Sequence, residues 1–458
     1  MNVAEQIVAQ LVDAGVHRIY GIVGDSLNPI VDAVRKTGGS AKGGIDWIHV
    51  RHEEAAAFAA SAEAQLTGKL AVCAGSCGPG NLHLINGLYD ANRTGAPVLA
   101  IASHIPSVQI GSTYFQETHP DRVFEECSVY NELISSAAQS PRTVNSAIRH
   151  AVGLGGVAVI TLPGDITDLK AVEHVPTYAP ARPATLTPNP ADIDEAAALL
   201  NKADKVAIFA GAGVEGAHDE VIALADALKA PIGHSLRGKH FIQYDNPFDV
   251  GMTGLLGYGA AAEGMNDADV LILLGTDFPY DQFLPDTPTI QVDTHAEKLG
   301  RRTDVGLAIH AQVKPFIEAL LPHLRAGRSD SFLKAKIKKH AEIMHAPVGA
   351  YTRNVEKMRP IHPEYAAHLL NETAAKDAIV TADTGMCNVW TARYIDPLGT
   401  RRIIGSLLHG SMANALPMAL GAQVAYPDRQ VVSVSGDGGL SMLLGELITA
   451  KMYDLPVK

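Results

Sequence analysis

The chain has only four cysteines in 458 residues (Cys73, Cys77, Cys127 and Cys387), too few for a disulfide scaffold. Cys73 and Cys77 stand in a CxxxC spacing without the second pair that a zinc site needs, so the four read as reduced, mostly packed thiols of a cytosolic protein. There is no Lys/Arg-dense run, and a net charge of −12 repels a phosphate backbone, which argues against a nucleic-acid partner. The nearest thing to a basic patch, Lys334 to Lys339, reads as the solvated face of a helix. No apolar run approaches the ~20 residues of a membrane-spanning helix, and no basic segment with an apolar stretch behind it opens the chain. Instead Val3, Ile7, Val8, Leu11 and Val12 fall on one helical face, with Asn2 and Glu5 placed as a cap pair. None of the nineteen histidines stands in an HxH or HExxH pattern. No zinc is assigned, and His52, His104, His119 and His409 read as pocket or loop donors. Internal repeats and low-complexity tracts are also missing.

What is present is apolar substance, 47% of the residues, enough for about three domains each with its own core. Short β-branched runs alternate with helical patterns: Arg18 to Val23, Ala71 to Ala74, Val98 to Ala102 and Val157 to Leu162 in the first third. That rhythm predicts parallel βαβ units. A proline cluster (Pro176, Pro180, Pro183, Pro188, Pro190) predicts an interdomain linker. A second block opens with Val206 to Ala210 and continues through Leu271 to Leu274 and Ile290 to Val292. After a charged, proline-bracketed segment from about Leu324 to Arg359, a third block offers strands at Ile379 to Ala382, Ile403 to Gly405 and Val431 to Val434. The expected class is α/β: three successive doubly wound parallel-sheet domains over residues 1–175, 190–325 and 360–458, the last cut short.

Four stretches carry chemistry. Val431 to Gly439 joins an apolar strand to Asp437 held between Gly436, Gly438 and Gly439, so the backbone can turn tightly against an anion while the carboxylate suits a hard cation such as Mg²⁺. The same stretch also fits a strand-to-helix turn of any α/β protein. Ile48 to Glu54 delivers Glu53 to the start of an alanine-rich helix that can pack very closely on a neighbour, leaving the carboxylate partly desolvated. Alone, a glutamate in a first helical turn serves the helix dipole. Ala74 to Leu88 sets Gly75, Gly78 and Gly80 between a strand and a helix without a GxGxxG or a Walker lysine, and Gly111 to Pro120 places an aromatic-amide pair on a loop.

The segments GDSLNPIVDAV, RHEEAAAFAASAEAQLTG, CAGSCGPGNLHLINGLYDA, YFQETHP, LRGK, YDNPFDVGMTGLLG, LLGTDFPY, QVD, HGSMANALPMALGAQ and SGDGG, in this order along the whole chain, resemble the thiamine-diphosphate enzymes of the pyruvate oxidase group. Within it the likeness is greatest to bacterial flavin-dependent pyruvate dehydrogenases that reduce quinone. The resemblance implies a pyrimidine-binding domain, a central FAD domain and a diphosphate-binding domain, with cofactor sites built between subunits. It makes Glu53 the acid that protonates the aminopyrimidine, and Phe115 and Gln116 the lining of the substrate pocket. Gly410, Ser411 and Met412 would hold the pyrimidine from the other side, Asp437 would ligate the metal, and Gly438 and Gly439 would give backbone donors to the diphosphate. The family follows GDG with an asparagine pair that is missing from the twenty residues after Gly438.

In the central block, Val206 to Gly216 contains a formal GxGxxG (Gly211, Gly213, Gly216), but the following strand, Pro231 to Ser235, ends at Leu236 and Arg237 instead of an acid for a ribose hydroxyl. The resemblance points instead to Arg237, to Thr253, Gly254, Leu255 and Leu256, to Thr276, Asp277, Phe278, Pro279 and Tyr280, and to Asp293 as the FAD-binding residues. It implies oxidative decarboxylation of pyruvate to acetate and CO₂, with electrons passing through FAD to ubiquinone or menaquinone. It further implies a homo-oligomer, a dimer of dimers, in the cytoplasm. The full-length form would touch the inner face of the cell membrane through a C-terminal region not seen here. The alternatives are an acetolactate-synthase-type carboligase with structural FAD and a flavin-binding fragment without catalysis.

Overall fold

The computed structural model describes residues 1–173, 178–179, 181 and 183–458. Pro176 and Pro180 of the expected linker lie outside the described residues; Pro183 and Pro188 stand in irregular chain and Pro190 opens a helix, Pro190–Lys202. The described residues divide into two compact units, one of residues 1–182, 378–388 and 404–458, the other of residues 183–377 and 389–403.

The first unit holds a six-stranded sheet of β1 (Arg18–Gly21), β2 (Asp46–His49), β3 (Ala71–Gly75), β4 (Val98–His104), β5 (Tyr130–Leu133) and β6 (Val157–Pro163), in the order β2-β1-β3-β4-β6-β5. Neighbouring strands run parallel, as in β4 on β6 from Val98↔Val157 to His104↔Pro163. β3, β4 and β6 are buried along their whole length, which is why they read as unbroken apolar runs. The strand order reverses at β1/β3, and in open sheets the crevice at such a point, beyond the carboxyl ends, is where ligands bind.

The second unit is built on seven strands: β7 (Val206–Ala210), β8 (Ile232–His234), β9 (Asp249–Met252), β10 (Tyr258–Gly259), β11 (Val270–Leu274), β12 (Thr289–Asp293) and β13 (Leu307–His310), in the order β10-β9-β8-β7-β11-β12-β13. The expectation of parallel strands throughout is corrected at its edge, where β10 turns back antiparallel onto β9 through the glycines around Gly254 and Gly257. Its helix Ser331–Ile343 also corrects the solvated lysine face: Lys336 is buried and its Nζ bonds Glu263 Oε1 at 2.6 Å and Asp267 Oδ2 at 2.5 Å.

A third, three-stranded sheet, β15-β14-β16, comprises β14 (Ile379–Ala382), β15 (Arg402–Gly405) and β16 (Val431–Val434). β14 and β16 run parallel, and Lys458 exchanges backbone bonds with Val431 and Ser433 on β16.

Within the first unit the alanine-rich helix Glu53–Thr67 packs against the helices Pro79–Thr94 and Ala415–Ala425 at backbone contact. A Cβ on Gly421 would run into the carbonyl of Ala59, and one on Gly87 would stand 2.5 Å from Ala57 Cβ and 2.9 Å from the Phe58 nitrogen. At the N-terminus the expected cap is a full capping box, the Glu5 N–H donating to Asn2 Oδ1 at 2.9 Å and the Asn2 N–H to Glu5 Oε2 at 3.1 Å.

Two predictions follow from this packing. Gly87→Ala gains helix propensity of about 1 kcal/mol but forces backbone apart, so it should be destabilising by a net of roughly 1–2 kcal/mol in urea denaturation. In the second unit His234 is fully buried, and desolvation holds its imidazole down to about 4, against the opposing pull of Asp249 at 3.4 Å. The folded protein resists protonating it, so its contribution is complete above pH 6.5 and is lost as pH falls toward 4, on the order of 3 kcal/mol in all. Denaturation at pH 7 and pH 5 should show a shallower acid loss in His234→Asn than in the parent.

Candidate active site

Glu53 is the first residue of its helix and 6% exposed. Its N-cap, His52, accepts the Glu54 N–H through Nδ1 at 3.2 Å. Glu53 Oε2 lies 2.9 Å from Nδ1 of His83, whose ring stacks on His52 with centroids 4.4 Å apart. Gly80 clears the other carboxylate oxygen, since a Cβ there would stand 3.0 Å from Glu53 Oε1.

The turn that delivers Glu53 is anchored from far along the chain. Glu446, 1% exposed, accepts the N–H groups of Arg51 at 2.8 Å and His52 at 3.0 Å through Oε1, and the Thr449 hydroxyl at 2.7 Å through Oε2. Burial raises its pKa, while the bonds from Thr449, Arg51 and His52 pull it down. Tyr453 adds a second tie: its hydroxyl accepts the His49 N–H at 2.7 Å and donates to the Trp47 carbonyl at 3.1 Å.

Phe115 and Gln116 sit on a loop braced by Glu117, which accepts the N–H groups of Gly111 and Tyr114. Phe115 is 79% exposed. Gln116 takes a left-handed φ of 63° and lies against the turn after β3: Cys77 Sγ donates to Gln116 Oε1 at 3.3 Å, and a Cβ on Gly78 (φ 66°) would meet the Gln116 carbonyl at 2.8 Å. Glu53 and Gln116 thus flank a single turn, Ser76–Gly80. A hydroxyl chain supports that turn from below, Ser26 Oγ lying 3.0 Å from Ser76 Oγ and 2.5 Å from Ser103 Oγ.

Three loops meet at the carboxyl end of the third sheet. After β15, Gly410 (φ 78°), Ser411 and Met412 form a tight bend, with the Ser411 N–H on Ser406 Oγ at 3.0 Å. Asn86 ties this bend to the Glu53 helix, donating to Glu54 Oε1 at 2.7 Å and Ser411 Oγ at 2.8 Å and bonding His409 Nε2 at 2.8 Å. After β16, Asp437 is exposed and Gly438 faces Met412, whose Cε would stand 3.1 Å from a Cβ there. After β14, Asp383 is 1% exposed and accepts Asn414 Nδ2 and the Ala415 N–H, both at 3.1 Å. A Cβ on Gly439 would collide with its Oδ2, so the Gly438–Gly439 cradle is a space that side chains would fill. An exposed carboxylate beside such a cradle fits a diphosphate with its hard cation.

In the second unit Arg237 follows β8, Thr276–Tyr280 follows β11 and Asp293 ends β12, all at the carboxyl edge. Gly254 (φ 101°) brings Thr253–Leu256 against the ring of Phe278, 2.9 Å from where its Cβ would be. Phe278 packs edge-on to Tyr280 and Phe209. Thr253, Thr276 and Asp293 are buried, Leu255 and Pro279 exposed, and Leu256 packs beside Met252 and Tyr258. Asp277 is committed to Arg301 and Arg302, and Asp293 Oδ1 accepts the His295 N–H at 2.9 Å. Gly211 and Gly213 are pressed onto Gly275 and Thr276, so the formal GxGxxG serves loop packing, as the missing acid after β8 implied.

Sequence reasoning missed His83, Asn86, Asp383 and Glu446. His83 and Asn86 fall three residues apart on a helix that the glycines Gly78 and Gly80 already marked; nothing local marked the two buried acids. Glu446→Ala should leave the Arg51 and His52 N–H groups unpaired, costing roughly 2–3 kcal/mol of stability and loosening the Glu53 turn. Hydrogen exchange at residues 50–54 should speed up in that variant relative to β4.

The chain matches three family models: the N-terminal TPP binding domain of thiamine pyrophosphate enzymes over residues 1–123, their central domain over 193–320 and their C-terminal TPP binding domain over 383–458. A C-terminal domain is therefore present, and the expectation of one cut short is not borne out. The chain is 37% identical to a putative thiamine pyrophosphate-containing protein, YdaP, of Bacillus subtilis, over 99% of this chain and 78% of that protein. It is 32% identical to a pyruvate oxidase of Lactiplantibacillus plantarum (97% and 74% covered) and 31% identical to the acetolactate synthase isozyme 2 large subunit of Escherichia coli (100% and 82%). Among the described residues no helix is long and apolar enough to cross a membrane. With all three domain types matched in order, and relatives above 30% identity aligned over nearly its whole length, the chain belongs to the thiamine pyrophosphate (thiamine diphosphate) enzyme family.

Proposed function

We propose that this enzyme decarboxylates pyruvate oxidatively to acetate and CO₂, using thiamine diphosphate with Mg²⁺ and passing electrons through FAD to a quinone. The observation that carries the reading is the turn Ser76–Gly80, which has the buried Glu53 carboxylate on one side and the Phe115–Gln116 loop on the other. Bound thiamine diphosphate supplies the electron sink for loss of CO₂. Glu53 holds a proton against the pyrimidine, and its burial strengthens that bond. Met412 and Ser411 position the ring, Gly438 and Gly439 donate backbone N–H groups to the diphosphate, and Asp437 takes the cation. Phe115 offers an apolar wall to a methyl ketone, and Gln116 an amide to its carboxylate.

For FAD, the supports are the convergence of Thr253–Leu256 with Thr276–Tyr280 and the cation of Arg237 near them in sequence order at the carboxyl edge. The enzyme works as a homo-oligomer: Met442, Leu444, Leu447 and Ile448 expose apolar surface that a second copy would cover. An acetolactate-type carboligase is the second reading, favoured by the similarity to acetolactate synthases.

Incubation with pyruvate, thiamine diphosphate, Mg²⁺, FAD and a soluble quinone should yield acetate and reduced quinone; acetolactate as the main product would favour the second reading. Glu53→Gln should lose most of the turnover while retaining flavin, and full activity in that variant would discard the role of Glu53. Arg237→Ala should weaken FAD binding by roughly 1.5–3 kcal/mol in a fluorescence titration.

A further inference from the structure

We propose that His52, Glu53 and His83 form a binding site for one transition-metal cation of the zinc class, and that an ion held there keeps the pyrimidine of the cofactor off Glu53. The second half rests on the reading of Glu53 given above; the first half does not.

One donor atom from each of the three residues lies within 4.8 Å of the other two. Tetrahedral zinc with bonds of 2.0–2.2 Å sets its donors roughly 3.3 Å apart, so the ion parts Glu53 Oε2 and His83 Nδ1, now 2.9 Å apart, by a few tenths of an ångström and seats itself between them and His52. His83 can supply that movement, because its side chain is 47% exposed on the helix Pro79–Thr94. The other two ligands are held already. Glu53 opens its helix and the backbone of Arg51 and His52 is pinned by the buried Glu446, while the imidazole lone pair with which His52 caps the Glu54 N–H is the one the ion would take over. Two of three ligands are thus placed before any ion arrives, which lowers the ordering cost of binding. The Glu53–His83 bond at 2.9 Å is the contact an ion would replace, both partners turning from each other to the metal. Glu54, with Oε2 3.9 Å from His52 Nδ1, adds a second negative charge beside the site.

The donor set decides which ion. Two imidazoles and one carboxylate with an open fourth position are the ligands of Zn²⁺ or Co²⁺, whereas Mg²⁺ takes oxygen. The exposed Asp437 carboxylate is of the oxygen type, so the two sites sort cations by chemistry. An ion at Glu53 removes the carboxylate from any other partner, and a trace transition metal would block cofactor loading while Mg²⁺ would not.

The test titrates the chelator-treated, cofactor-free protein with Co²⁺ and reads the visible d–d absorption of four-coordinate cobalt. One equivalent should develop the band, and it should be lost in His83→Ala and in His52→Asn, the latter keeping a capping oxygen for the Glu54 N–H so that the helix is preserved. Thermal melts matching the parent's establish that both variants are folded. No band in the parent, or the same band in both variants, overturns the site. Thiamine diphosphate with Mg²⁺ should abolish the band in the parent; a band that persists with the cofactor bound overturns the exclusion. If the chelator-treated enzyme reloaded with thiamine diphosphate, Mg²⁺ and FAD does not turn over pyruvate, the proposed function fails while the cobalt band stands, so the two failures are distinguishable.

Discussion

The first unit depends on how closely the helix Glu53–Thr67 can approach its neighbours. Its alanines bring backbone to backbone with Gly87 on one side and Gly421 on the other, leaving no slack for the helix to slide or turn. Lower down, Glu63 is fixed by Arg18 at 2.7 Å and Tyr20 at 2.6 Å, and Phe58 fills a pocket with Ile404 and Met418. Rigidity along the shaft becomes precision at the tip. The Glu53 carboxylate is thereby held on a mounting that cannot drift.

The carboxylates of this unit divide by task. Glu446 and Asp383 are buried and spend their oxygens on backbone and side-chain N–H groups, so they shape loops; burial raises the pKa of each, and the hydrogen bonds they accept work against it. Asp437 is exposed and makes no such bond among the described residues, which leaves its oxygens open to solvent. Glu53 stands between these cases, buried yet in contact with a half-exposed histidine.

The interior strands were legible because a parallel strand buried on both faces writes an unbroken apolar run: Val206–Ala210 and Ile379–Ala382 coincide with their predicted limits. β5, β9, β10 and β13 were not. β5 and β13 lie at sheet edges with polar or alternating faces, and β9 and β10 are short and interrupted by glycine. The same logic governs the site. Glu53, Gln116 and Asp437 stand beside glycines that local sequence displays, whereas Glu446 reaches back almost four hundred residues to two amide groups, and nothing around it in the chain marks what it holds.

The four thiols carry a practical consequence. Cys73, Cys77, Cys127 and Cys387 are all buried, with burial pushing Cys127 up to about 12 and Cys73 further still. An alkylating reagent finds no thiolate on the native surface. Cys73 and Cys127 share one core behind the Glu53 helix, so the rate at which iodoacetamide consumes them is a clock for the opening of that core, readable by mass without any added probe.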